Sequence, residues 1–194
     1  MTGFQIAALV IMAVFYIAYY TKMLLQRRRG IQTNQIAKGE KPAKTRRVEV
    51  FMKIATLAIV AVEVVSILLN TQLIKIQAVA IAGLVLAAVG VAVFVAAMAT
   101  MKDSWRAGIP ATEKTSLVQF GIYRFSRNPA FLGFDLLYLG ILLAYMNVVH
   151  LMFAAFAITM LHLQILEEEN FLPAVFGDAY LAYKNKTRRY FLFF

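Results

Sequence analysis

Five long apolar runs leave a chain of this size few folds to choose from. They cover residues 4–25, 50–69, 76–101, 129–146 and 148–166, each eighteen to twenty-six residues long. Crossing a hydrocarbon layer of about 30 Å takes roughly 20 residues of helix. Lipid offers no partner to a backbone N–H or C=O, so runs that cross it must close their hydrogen bonds internally, as helices do. Composition points the same way: 61% of the 194 residues are hydrophobic and 15% charged, whereas soluble domains carry about 25% charged residues. The expectation is an all-α chain, a single membrane domain over residues 1–194, built as a polytopic bundle of five transmembrane helices. The segment Glu167–Tyr190 is expected to add an interfacial C-terminal helix on the cytoplasmic side.

The basic residues fix an orientation. The stretch 26–49 holds eight Lys and Arg, 102–128 holds five and the tail after Leu166 holds four, whereas the intervening connections hold only Lys75. Lysine and arginine stay on the cytoplasmic side of short loops. This split therefore puts the N-terminus outside and the stretches 26–49, 102–128 and 167–194 in the cytoplasm, as in a multi-pass protein of a prokaryotic cell membrane. The same rule accounts for the net charge of +10 without a nucleic-acid partner. The first apolar run lacks a basic start and a small-residue cleavage site and is long enough to span, so it is expected to be a helix, not a signal peptide. Absence of cysteine excludes disulfides, thiolate metal sites and cysteine nucleophiles. The charged stretch 26–49, with Gly30, Gly39 and Pro42, reads as a solvated, mobile topology signal.

Polar chemistry collects at the cytoplasmic ends of the last two runs. Asn128-Pro129 is a helix start, with asparagine as N-cap and proline in the first position. Its free N–H groups attract anions, and Arg124 and Arg127 stand beside it. Glu167-Glu168-Glu169 ends the fifth run, where negative charge opposes the helix dipole, a local violation of the kind that marks sites. His162 lies seven residues before Glu169 on the same helix face. Asp135 and Glu63 are ionisable groups at membrane depth, which face a bundle interior. Pro173 is expected to bend or restart the helix. Ala82, Gly83, Ala87 and Gly90 allow close helix packing. No metal motif is present: no His pair occurs at helical i, i+4 spacing.

Two blocks carry a family resemblance. Gly121-Ile122-Tyr123 with Arg127-Asn128-Pro129-Ala130-Phe131-Leu132-Gly133, then Glu168-Glu169-Asn170-Phe171-Leu172 with Phe176-Gly177-Asp178-Ala179-Tyr180 and Tyr183, resemble blocks of the isoprenylcysteine carboxyl methyltransferase family. Ser104-Trp105-Arg106-Ala107-Gly108-Ile109 is similar to a segment of its compact prokaryotic members. The wider superfamily includes phospholipid methyltransferases. The family histidine before proline is Asn128 here, the tyrosine two positions after it is Phe131, and an arginine before the glutamate pair is Gln164.

The resemblance implies S-adenosyl-L-methionine as methyl donor, bound in a membrane-embedded pocket. Carried over by position, the donor contacts are Leu117, Val118, Tyr123, Asn128, Pro129, Phe131 and Glu168. Glu169 and His162 complete the cofactor-side set. The helix start suits the donor carboxylate, the glutamates its ammonium or ribose, and the aromatic rings its adenine or sulfonium. Arg124, Arg127, Arg188 and Arg189 are candidates to hold an acceptor carboxylate, and His162 or Glu167 to act as base toward an amine acceptor. The acceptor is expected to be a prenylated cysteine or similar lipid entering from the bilayer, acted on by a monomer in contact with membrane lipids. A lipid-amine methyltransferase, a small transporter using Asp135, Glu63 and His162, and a non-catalytic lipid-binding protein are the competing readings.

The charge split has a direct test. A reporter fused after Phe194 is expected to read cytoplasmic and one fused before Met1 external. Both ends on one side would rule out the five-span arrangement.

Overall fold

The computed structural model describes residues 1–109 and 115–191; Lys114, one of the basic residues counted above, lies outside them. Among the described residues six helices follow in order: α1 (Gly3–Arg28), α2 (Ala43–Leu68), α3 (Gln77–Met101), α4 (Pro129–Ala144), α5 (Val148–Phe176) and α6 (Asp178–Lys186). Short 3-10 turns occupy Lys102–Ser104 and Gly121–Arg124. Among the described residues no strand forms, and one isolated bridge pairs Asn34 with Ala107.

Helices α1, α2, α3 and α5 are long and apolar enough to cross a membrane. The surface supports that use. Ile6, Val10, Val14, Ile17 and Leu24 on α1, and Ile54, Leu57, Val65 and Leu68 on α2, are exposed, whereas Glu49, Glu63, His150 and Gln164 are fully buried. Apolar outside and polar inside is the arrangement that a lipid solvent demands. Helix α4 is shorter than the run 129–146 suggests. It has 16 residues, about 24 Å at 1.5 Å per residue, because Tyr145 leaves helical geometry at φ −134°. The end is tied instead to the α2–α3 connection, with Gln72 donating to the Ala144 carbonyl and the Leu73 N–H to that of Met146. The tight α4–α5 hairpin forms as expected. Asn147 caps α5 by accepting from His150 N–H at 2.9 Å, and its amide donates to Ser66 and Thr71.

The small-residue contact is between α3 and α4. A Cβ on Gly140 would lie 2.4 Å from the Ala87 nitrogen and 2.5 Å from the Gly83 carbonyl oxygen. One on Gly133 would lie 2.7 Å from the Phe94 Cβ, and one on Gly90 2.7 Å from the Gly133 carbonyl oxygen. Gly83, Ala87 and Gly90 take part as expected; Ala82 instead faces outward, one residue off the contact face. Phe15 of α1 stacks on Phe94 at 4.3 Å between centroids and meets Phe134 edge-on at 4.8 Å, which seats α1 on the pair. Helix α2 packs along α5.

Three expectations need correction. The tail Glu167–Tyr190 is not one helix. α5 runs through Pro173 to Phe176, and the break falls at Gly177, whose φ of +55° suits glycine, before α6 begins. Asn128 occupies the N-cap position of α4, but its side chain makes no capping bond; the amide reaches Glu169 at 3.3 Å instead. The stretch 29–42 is docked, with Thr33, Gln35 and Lys41 buried, because backbone pairing and an ion pair hold it down.

Gly140→Ala is expected to destabilise the fold by about 1–3 kcal/mol, the cost of overpacking a filled contact. Thermal unfolding in detergent reads it, and an unchanged midpoint would show that α3 and α4 have room to separate.

Candidate functional site

The three consecutive glutamates are resolved by the 100° turn of a helix per residue, which sends each to a different neighbour. Glu167 accepts from Thr45 Oγ1 at 2.7 Å and pairs with Lys44 Nζ at 2.6 Å, joining α5 to the start of α2. Glu169 turns toward the start of α4. Arg127 Nη2 lies 2.9 Å from its Oε1, and Arg189 donates to both of its oxygens, at 3.1 and 2.9 Å. Arg127 also donates to the Lys184 and Thr187 carbonyls, and Ser126 Oγ to that of Arg189. This buried junction folds the tail back over the Asn128-Pro129 turn. Glu169 in turn holds the Arg189 guanidinium above its ordinary pKa.

Glu168 is left to line a cavity of about 350 Å³ at this end of the bundle. Gln164 Nε2 holds one of its oxygens at 3.0 Å. The cavity is closed by α4 at Asn128 and Phe131, by the 3-10 turn at Tyr123, by Leu117 and Val118, and by Phe171, Tyr180 and Tyr183. Tyr183 donates to the Tyr123 carbonyl at 2.7 Å, fixing the turn against α6. Burial holds the Tyr123 phenol well above its ordinary pKa, so it is a neutral hydrogen-bonding group at physiological pH.

A second, mostly apolar cavity of about 810 Å³ adjoins the first. Its walls include Tyr16, Tyr19 and Met23 of α1, Met52, Lys53 and Val60 of α2, Phe94 of α3, Phe134 and Tyr138 of α4, and Leu161 of α5. Trp105, Arg106, Gly108, Ala130 and Phe131 line both cavities. Its volume falls within the range of about 300–1,000 Å³ typical of small-molecule sites.

The sequence-selected residues therefore divide. Leu117, Val118, Tyr123, Asn128, Phe131, Glu168 and Arg127 line the smaller cavity. Pro129 starts α4 behind it. His162 bonds Tyr190 Oη through Nδ1 at 2.8 Å, and burial pushes that phenol up to about 12. Arg189 and Glu169 belong to the junction, and Glu167 to the α2–α5 contact. Arg188 contributes its carbonyl, which accepts from Arg127 N–H, and Arg124 is exposed. Sequence reasoning did not select Trp105 and Arg106 as site residues, although the segment Ser104–Ile109 carried the signal. It gave no role to Tyr16 or Tyr19, whose spacing is that of ordinary span residues, and read Lys53 as a lysine snorkelling outward near its helix start. Among the described residues no cluster of potential metal ligands occurs.

The junction has its own test. Glu169→Ala leaves two arginines without their buried partner and is expected to cost about 3–5 kcal/mol. It should also make the tail susceptible to trypsin after Arg188 and Arg189. A tail as resistant as the wild type would show that the junction does not hold it.

Comparison with known proteins bears on the same end of the bundle. A family model described as phospholipid methyltransferase matches residues 78–179, more than half of the 194 residues. The match runs from α3 to the start of α6 and contains most of the smaller cavity's wall. No curated protein matches the chain. With its apolar, membrane-length helices and this match, the chain is a multi-pass membrane protein that belongs to the phospholipid methyltransferase family.

Proposed function

We propose that this protein is an S-adenosyl-L-methionine-dependent methyltransferase that esterifies the carboxylate of a prenylated cysteine or similar lipid-like acceptor. The observation that carries the reading is the pair of adjoining cavities with a shared wall at Trp105, Arg106 and Phe131. One carries Glu168, Asn128 and Arg127 for a soluble donor, and the other is mostly apolar and bounded by α1 to α4 with Leu161 of α5. Glu168, Asn128, Tyr123 and Phe131 fit the donor. A carboxylate suits its ammonium or ribose, the α4 start its carboxylate, and the two rings its adenine or sulfonium.

When bound, the donor supplies an electrophilic methyl group on a positively charged sulfur. The residues around it position the two reactants and exclude water, which accounts for most of the acceleration in an in-line displacement. Phe131 and Trp105 close the shared wall against solvent. The charged side chains lining the larger cavity are Lys53 and Arg106, with no carboxylate among them, an arrangement that favours an anionic acceptor. In this reading they take the carboxylate-holding role first considered for Arg124, Arg127, Arg188 and Arg189. An ionised carboxylate carries no proton to remove, so no base is needed, in keeping with His162 bonded to Tyr190 away from both cavities. The topology completes the picture: five spans, with α4 as the short fourth, the N-terminus outside, both cavities toward the cytoplasm, and one chain sufficient for the reaction.

Glu168→Gln is expected to weaken donor binding about tenfold or more, since a charge-assisted hydrogen bond is worth about 1.5–3 kcal/mol. With farnesylated cysteine, single-turnover transfer should be nearly flat between about pH 6 and 8, because the acceptor is already ionised, and should give a base-labile ester. A steep rise with pH and a base-stable product from a lipid amine would reject carboxyl methylation. Unchanged donor affinity in folded Glu168→Gln would reject the donor site.

A further inference from the structure

Residues 33–37, after α1, and 105–109, after α3, lie side by side where the two cavities meet. Gln35 N–H donates to the Ala107 carbonyl at 2.8 Å, and Ala107 N–H to the Thr33 carbonyl at 2.9 Å. From the first segment Asn34 and Ile36 line the larger cavity; from the second, Gly108 lines both and Ile109 the smaller. The contact is close at Gly108, where φ is +86° and a Cβ would lie 2.8 Å from the Ile36 nitrogen. The two segments make one roof over both cavities.

A single side chain holds that roof. Glu49 of α2 is fully buried. Its Oε2 accepts from Ala37 N–H at 2.7 Å and its Oε1 from Ile109 N–H at 3.0 Å. Lys41 Nζ donates to both oxygens, at 2.9 and 2.8 Å, and to the Gln35 carbonyl at 2.6 Å. A buried charge is costly unless fully paired, and here the pairing joins one backbone N–H from each segment to one carboxylate. Moving either segment breaks a charge-assisted bond and leaves a buried donor without its partner. An occupant of the smaller cavity touching Ile109 and one of the larger cavity touching Ile36 therefore act on the same fastening.

We propose that Glu49 is a positioning residue that couples the two cavities, so that filling one favours filling the other. The proposal rests on reading the cavities as donor and acceptor sites. Coupling of this kind is reciprocal and typically about 5–150-fold. In the wild type, saturating farnesylated cysteine should tighten S-adenosyl-L-methionine binding by about tenfold. In Glu49→Gln the tightening should shrink to within about twofold, both KM values should rise, and kcat should stay within about threefold. Amide exchange should quicken at Gln35, Ala37, Ala107 and Ile109 while the α3–α4 contact keeps its protection. Because the chain has no cysteine, the paired positions can be cross-linked cleanly as Asn34→Cys with Ala107→Cys. Oxidation of that pair in the Glu49→Gln background should restore the coupling, and reduction should abolish it again; the same background serves if Glu49→Gln alone does not fold.

Retained coupling and unchanged exchange in Glu49→Gln would overturn the proposal, as would a loss confined to kcat. A wild type that does not bind S-adenosyl-L-methionine would overturn the donor reading and with it the coupling. The exchange data would then still decide whether Glu49 fastens the roof.

Discussion

The distance between α3 and α4 is the constraint on which the rest depends. Lipid tails are as apolar as leucine, so burial of apolar surface cannot drive helices together within a bilayer; close packing must. Gly83, Gly90, Gly133 and Gly140 bring the two backbones to where a single added methyl would meet main-chain atoms. That approach fixes Phe131 and Asn128, one turn from the contact, relative to the end of α3. Phe15 and Phe94 then seat α1, and the space left between α1, α2 and this rigid pair is the larger cavity.

Polar groups do the remaining work of assembly, and their placement explains why so many charges sit where charge is expensive. Glu49, Glu167 and Glu169 each accept from residues far away in sequence; Glu49 and Glu169 tie a connection and the tail to the bundle, and Glu167 ties α5 to α2. A buried ion pair is weak evidence for stability but good evidence for a defined geometry, since alternatives leave a charge unpaired. At this end of the molecule three such junctions surround a cavity whose own carboxylate, Glu168, is held by a neutral amide.

Four membrane-length helices, the hairpin at Asn147 and the small-residue face of α3 were legible in the sequence, because each follows from a local rule of length, capping or spacing. So was much of the smaller cavity, since its residues lie in two short blocks on either side of one helical hairpin. What local pattern could not convey was partnership. Nothing in the run Glu167-Glu168-Glu169 says which acid meets Thr45, which the cavity and which Arg189; that is decided by what stands opposite each side of α5. The charged stretch after α1 read as solvated because its composition is that of a loop, yet Glu49, twelve residues from Ala37, pins it. Lys53 and Tyr16 went unselected for the same reason, as a cavity between several helices leaves no mark in any one of them.

The match to the family model begins at residue 78, just inside α3, whereas Tyr16, Tyr19, Met52, Lys53 and Val60 all precede it. The smaller cavity is thus made almost wholly from the shared portion of the chain, whereas α1 and α2, outside it, supply half of the larger one's lining. That division makes the protein a two-part device. On the proposed reading, α1 and α2 would shape the acceptor side while the trailing portion holds the donor, so a change in the leading pair would alter the acceptor admitted without rebuilding the donor site.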